Sequence, residues 1–362
     1  MTYTNAPDFS ENLNTKMSLL LERRKATRIA NIDFASPLLM APMASITTPA
    51  WRLLMEDLGA GGTVSELISC HGINYQNEKT INMLKVDPRE KHVGIQLFGE
   101  EAEALARAAE IAEKFGAKFI DLNMGCPVRK VVGKGAGAAL MQDPSKLPSL
   151  FRSIKKAISI PLTIKIRTGW DDLNLNAREI IKIAKDEGIE FVALHGRTRA
   201  QQYSGKADWE AIESIASESP LPIIGNGDLH TASVLRERMK NTKCQGLMLG
   251  RGPLKDPFLF LETYNDGHEK ITFSSSDYFE VIKRLLHYTK EHEDREKTLA
   301  IHMKKHIVWF AAGYTGAAAF RGKIFSTPQL DECMKITEDY FLGLGDRKKH
   351  LGEEAFLVAG EG

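Results

Sequence analysis

Eight short apolar runs, nearly every one finishing in a polar or ionisable residue, constrain this chain more than any other feature. They are PLLMAPM (37–43), TVSEL (63–67), VGIQLFG (93–99), FIDLNMG (119–125), LTIKIR (162–167), FVALHGR (191–197), PIIGNGD (222–228) and GLMLGRG (246–252). Between them lie amphipathic stretches such as Glu101–Phe115, Pro148–Ile158, Asn176–Glu187, Trp209–Ala216 and Thr231–Met239, with apolar residues at helical spacing. Such alternation builds βα units on a parallel sheet. Eight strand signals with no second cluster of strands predict a closed (β/α)8 TIM barrel rather than an open doubly wound sheet. A dinucleotide-binding sheet would also carry GxGxxG after its first strand, where this chain has APMAS.

A barrel takes about 250 residues, and this chain has 362. Strand patterns stop near residue 270. The segment 274–313 predicts one helix capped by Ser276 and a second ending near Gly313, and a third pattern follows Pro328 through Tyr340 and Phe341. The expected layout is an N-terminal tail over 1–28 that docks locally, the barrel over 29–268, a small all-α bundle over 269–345 and a C-terminal tail over 346–362.

Composition narrows the function classes. With 43% hydrophobic and 26% charged residues the chain is an ordinary globular one. A net charge of +1 argues against a globally basic nucleic-acid binder but allows a local patch. Cys70, Cys126, Cys244 and Cys333 form no CxxC and no ligand spacing, so neither a metal site nor a disulfide framework is expected, and the compartment is a reducing cytoplasm. The apolar run Met17–Leu21 is too short to span a bilayer. No stable protein partner is expected.

Barrels of this type build their sites from the C-terminal ends of the strands. Read in order, those ends carry Met43, Glu66, Gln96, Asn123 with Cys126, Lys165, His195, Asn226 with Asp228, and Arg251. The last two strands end in GNGD (225–228) and GRG (250–252), where glycine permits close backbone approach, N–H groups hold phosphate and Arg251 adds charge. Lys165 admits two chemistries: a Schiff-base nucleophile, or a cation beside the pyrimidine edge of a reduced flavin. Gln96 and Asn123 offer the paired donors and acceptors an isoalloxazine edge requires. Cys126, between Gly125 and Pro127 in a tight rim loop, is placed to be a general acid, whereas Cys70, Cys244 and Cys333 read as packing residues.

These residues resemble the tRNA-dihydrouridine synthases, in particular the bacterial B subgroup. The matching segments are LLMAPMAS (38–45), GIQLFG (94–99), DLNMGCPVRKVVGKGAGAALM (121–141), LTIKIRTGW (162–170), LHGRTRAQQYSGKADW (194–209), IIGNGDL (223–229), LMLGRG (247–252) and, in the helical region, MKKHIVWFAAGYTGAAAFRGKIF (303–325). The resemblance implies an FMN enzyme that uses NADPH to reduce the C5=C6 bond of tRNA uridines. It places Pro42, Met43 and Ala44 by the flavin, with Gln96, Lys165 and His195 around the ring and ribityl chain. Asn226, Gly227, Asp228, Gly250 and Arg251 fall at the phosphate end, Cys126 becomes the proton donor to C5, and Asn123 orients the uracil.

A grip on RNA follows from the same resemblance. Thr298–Leu330 contains no Asp or Glu but carries Lys304, Lys305, Arg321 and Lys323, with His302 and His306 as further sources of charge. Arg129, Lys130, Lys134, Arg197 and Arg199 stand nearer the rim for closer phosphates. Alternatives are a dihydroorotate-dehydrogenase-like flavin barrel, a Schiff-base aldolase, a flavin- and folate-dependent RNA methyltransferase and an RNA-binding scaffold without activity. Small-molecule barrels leave the basic helical region unexplained, an aldolase leaves Cys126 and Gln96 idle, and a dead scaffold is expected to lose Cys126 or Lys165.

Overall fold

The structure, a computed structural model, describes residues 8–265, 271–345, 347, 349 and 350. All eight apolar runs form strands: β1 Leu38–Met40, β2 Gly62–Ser69, β3 Val93–Phe98, β4 Phe119–Met124, β5 Leu162–Arg167, β6 Val192–His195, β7 Ile223–Asn226 and β8 Gly246–Leu249. Each pairs in parallel with the next, and β8 returns to β1 with Leu247 opposite Leu38, closing the barrel. The interstrand helices include Ala102–Lys114, Leu147–Ala157, Ala177–Asp186, Trp209–Glu218 and Ala232–Asn241, each burying its apolar stripe against the barrel.

Side chains alternate faces along a strand, so Phe119, Asp121 and Asn123 share one face of β4, as Thr163, Lys165 and Arg167 share one face of β5. The lower part of the interior is apolar. Phe119, Phe191, Ile224 and Met248 pack there against a short antiparallel hairpin of residues 27–29 and 32–34. Phe34 of the hairpin meets Phe119 and Phe191 edge-on, with ring centroids 5.9 and 6.2 Å apart. With that end plugged, polar side chains on the same faces are left for the other end.

The segment 1–28, expected as a tail, contains a helix, Glu11–Leu21, capped by Ser10 and burying Leu13, Met17 and Leu20. It lies against the Leu259–Tyr264 helix; residues 1–7 are outside the described residues. The expected boundary at 268–269 and most of the 346–362 tail also lie outside them.

Four helices follow: Ser275–His292, Glu296–Ala311, Ala317–Ser326 and Leu330–Gly343. The first is capped by Ser274, not Ser276. Ser274 accepts from the Asp277 N–H while the Asp277 carboxylate accepts from the Ser274 N–H at 2.7 Å, a reciprocal capping box. This region is fixed to the barrel by polar ties. Tyr288 donates to Asp57 (2.6 Å), Arg89 bridges Asp87 and Glu291 (2.7 and 2.6 Å), and the His306 ring lies 4.8 Å from that of Trp51. Among the described residues no helix is long and apolar enough to cross a membrane.

Candidate active site

The C-terminal ends of the strands open into a cavity of about 390 Å³, within the usual range for a small-molecule site. Pro42, Met43, Ala44, Gln96, Lys165, His195, Asn226, Gly227, Asp228, Gly250 and Arg251 all line it, as do Asn123 and Cys126. Seven strand ends and the loops after them thus bring to one place residues spread over more than 200 positions.

The Cys126 loop is clamped from several sides. Its backbone N–H donates to Asn123 Oδ1 (3.0 Å), and its carbonyl accepts from Ala138 N–H (3.1 Å). Arg167 Nε donates to the preceding carbonyl, of Gly125, at 2.7 Å. Gly137 has φ +62°, and a Cβ there would meet the Cys126 carbonyl at 2.9 Å, so only glycine lets the turn close against the thiol loop. The other cysteines differ in setting. Burial pushes the Cys70 thiol up to about 12 and Cys244 to about 11, which leaves both inert near neutrality.

Beneath the thiol, the side chains form a continuous polar wall. A register shift in β2 between Val64 and Leu67 turns Ser65 so that its hydroxyl accepts the Gln96 backbone N–H (3.0 Å). Gln96 Oε1 accepts from Asn123 Nδ2 (2.8 Å) and Gln96 Nε2 donates to Asp121 (2.7 Å). Lys165 Nζ donates to Asn226 Oδ1 (3.0 Å), whose amide donates onward to the Met248 carbonyl (2.7 Å). Burial, helped by Arg167 and opposed by Asp121, brings the Lys165 ammonium down to about 8. His195 is neutral: burial, then the charges of Arg167, Lys165, Arg197 and Arg251, hold it well below its ordinary value.

The β7 end makes a sharp turn, with Gly227 at φ +134° and Asp228 at φ +50°. A Cβ on Gly227 would stand 2.5 Å from that of Ala207. Asp228 keeps its left-handed conformation because its carboxylate is held twice by Arg197 (2.9 and 3.0 Å) and once by the Ala207 N–H (2.6 Å). Burial opposes its ionisation, but His230, Ala207 and Arg197 together hold it well below the usual carboxylate range.

Several residues expected to meet RNA have other employment. Arg197 is 2% exposed and lines the cavity, and besides Asp228 its guanidinium donates to the Ser204 and Gly205 carbonyls (3.1 and 2.7 Å), so it clamps the mouth. Arg199 lies outside the cavity, 4.5 Å over the Trp170 ring. Lys304 Nζ donates to the Thr327 carbonyl and ties two helices together. His306 adds no charge, because burial takes its imidazole down to about 3. Lys305 is half-buried, whereas Arg321 and Lys323 are exposed, as are Arg129, Lys130 and Lys134 on the loop after Cys126.

Two residues of the mouth and one beneath it went unread in the sequence. Arg167 and Tyr203 line the cavity, the ring of Tyr203 standing 5.5 Å from the Arg167 guanidinium and 5.3 Å from that of Arg251. Asp121 lies one step below Asn123. The signal for Arg167 and Asp121 was parity, since each sits two positions from a residue singled out on the same strand. Tyr203, in a loop, carried none.

Comparison with known proteins agrees with this geometry. The family model described as "Dihydrouridine synthase (Dus)" matches residues 39–342. The protein of Rickettsia prowazekii named "Probable tRNA-dihydrouridine synthase" is 36% identical over 301 residues, 81% of this chain and 91% of its own. The "tRNA-dihydrouridine synthase B" of Vibrio cholerae is 33% identical over 316 residues, 87% of this chain and 98% of its own. Among solved structures, histamine dehydrogenase from Rhizobium sp. 4-9 superposes with a TM-score of 0.53 at 13% identity, over 75% of this chain. The chain spans about half of that longer protein (51%), and the likeness shows the barrel fold.

Proposed function

Because the chain belongs to the dihydrouridine synthase family, it is an oxidoreductase of tRNA uridines, and we propose that it uses FMN and NADPH to reduce the C5=C6 bond of D-loop uridines with Cys126 as proton donor. One observation carries this reading: a thiol, two carboxamides, a lysine and an arginine–glycine rim converge on one cavity from separate strands. The donor set fits FMN. Lys165 and Arg251 supply positive charge for an anionic ligand, Gln96 offers its amide to a heteroaromatic edge, and Gly250 leaves its side of the cavity open. Bound there, FMN supplies the hydride for C6, taken in turn from NADPH.

The chain's own residues do the rest. Asn123 holds the Cys126 loop through its carbonyl oxygen and keeps an N–H for the uracil. Cys126 gives its S–H proton to C5, forming the C–H bond. The thiolate left behind lies in the field of Lys165 and Arg167, both of which interact electrostatically with it. A stacked uracil cannot reach this depth, so the base is flipped out, at least cost where stacking is already loose. Exposed Arg129, Lys130 and Lys134 stand beside the mouth for the flanking phosphates, and the helical region holds the body of the tRNA.

FMN titration and NADPH bleaching test the cofactor: a protein that neither yellows nor quenches FMN fluorescence refutes it. Cys126→Ala should keep NADPH-driven flavin reduction but lower dihydrouridine formation on unmodified tRNA by at least about a hundredfold, the usual worth of a general acid. Wild-type turnover in that variant would remove the thiol from the reaction.

A further inference from the structure

One buried charge in the barrel has no part in this chemistry. Asp121 is 2% exposed. Its oxygens accept from Thr163 Oγ1 and from Gln96 Nε2, both at 2.7 Å. Gln96 Oε1 accepts from Asn123 Nδ2 (2.8 Å), and Asn123 Oδ1 accepts the N–H groups of Cys126 (3.0 Å) and Gly125 (3.3 Å). The series runs from a carboxylate on β4 through β3 and back to the loop that carries the thiol. With Asp121 ionised its ends are fixed, since a carboxylate only accepts and a peptide N–H only donates. Turning over either amide between them would set donor against donor or acceptor against acceptor in a site without bulk water. Each amide keeps a second N–H, and both residues line the cavity.

We propose that Asp121 is a positioning residue for the cavity, holding the carboxamide of Gln96, and through it that of Asn123, with N–H rather than C=O turned toward the ligand. The wall shared by β3, β4 and β5 then offers donors, the two amides and the Lys165 ammonium. It selects ligands that present carbonyl oxygens or unprotonated ring nitrogens on that side. Burial pushes the Asp121 carboxyl up, against the hydrogen bonds from Gln96 and Thr163 and the charge of Lys165. An apolar residue of similar size would avoid that desolvation but would leave the Gln96 N–H buried with no acceptor.

The inference rests on the FMN reading for its ligand but not for its geometry, so the experiment has an arm without FMN. Asp121→Asn still accepts from Gln96, while its own amide donates to Thr163 Oγ1, whose hydroxyl has the Ile120 carbonyl as an acceptor. Asp121→Leu fills the space and accepts nothing; if it fails to fold, Asp121→Ser, too short to reach Gln96, replaces it. In the apoprotein the Gln96 side-chain amide protons, followed by nitrogen-15 NMR, should exchange about tenfold faster in the Leu variant than in wild type, the worth of one buried hydrogen bond. Thr163→Val, which removes the other bond to Asp121, should leave that exchange unchanged. With FMN as the probe, the Leu variant should bind about tenfold more weakly and shift the flavin carbonyl-stretch band, and the Asn variant should restore both. Wild-type exchange, affinity and band in the Leu variant, or an Asn variant as impaired as the Leu one, overturns the inference. Failure of the wild-type protein to bind FMN would instead overturn the cofactor reading, and the exchange arm would still decide the role of Asp121.

Discussion

The barrel mouth and the helical region both carry positive charge, and they use it in opposite ways. In the mouth, Lys165, Arg167 and Arg197 each donate to named partners inside the protein. In the helical region, Arg321 and Lys323 are exposed on a segment without a single carboxylate. Charge of the first kind fixes geometry, and its removal is felt by the fold. Charge of the second kind faces solvent, where it is open to an incoming polyanion. The largest expected difference follows from this. Arg197→Met leaves the partly buried Asp228 without its guanidinium, with only the Ala207 N–H and His230 beside it, which should destabilise the protein by about 3 kcal/mol, the low end for breaking a buried pair whose carboxylate keeps some water. Arg321→Met should change stability by no more than about 0.5 kcal/mol. Equal shifts of the two urea midpoints would erase the contrast.

A smaller effect belongs to the junction between the two regions. The His306 ring packs by Trp51, its Nδ1–H donates to the His302 carbonyl (2.8 Å), and Nε2 has no partner among the described residues. A proton added at Nε2 would therefore be buried without an acceptor. With the folded value near 3 against 6.5 for an ordinary histidine, the unfolded chain binds a proton that the native one refuses. Stability contributed by this site is thus full above pH 6.5 and falls toward pH 3, by about 1.4 kcal/mol per unit. His306→Phe keeps the ring and loses the titration. Denaturation at pH 5 and 7.5 should show the variant less acid-sensitive than wild type; identical differences would mean the junction does not sense pH.

How much of this could be read beforehand differs between the regions for physical reasons. Strands and barrel closure were legible because eight short apolar runs, alternating with 3.6-residue patterns, have few other solutions. The Ala317–Ser326 helix escaped notice because only Phe320 and Ile324 are buried, too few to mark a stripe. The cap at Ser274 was ambiguous within SSS until Asp277, three positions on, selected it. Gln96, Asn123, Cys126 and Lys165 stood out as polar ends of apolar strands. What a sequence withholds is whether a cation is already engaged. Arg197 and Lys304 looked available for phosphate, but one holds Asp228 and the other the Thr327 carbonyl.

The smallest effect on the fold should be the largest on tRNA affinity relative to stability. Of the four Lys and Arg side chains in the acid-free segment Thr298–Leu330, Arg321 and Lys323 are the exposed ones, and Arg321 stands 6.0 Å from the ring of Phe325, itself 52% exposed. Replacing both by Glu should leave the unfolding midpoint and NADPH-driven flavin reduction as they are. The tRNA dissociation constant should rise, and the slope of log affinity against log salt should flatten by about two, one for each phosphate that no longer meets a cation. The slope is the decisive quantity, because it counts the phosphates met, while the unchanged unfolding midpoint separates lost contacts from a misfolded helix. If affinity falls with the slope unchanged, these two side chains shape the surface rather than meet phosphate, and the grip passes to Arg129, Lys130 and Lys134 beside the thiol loop.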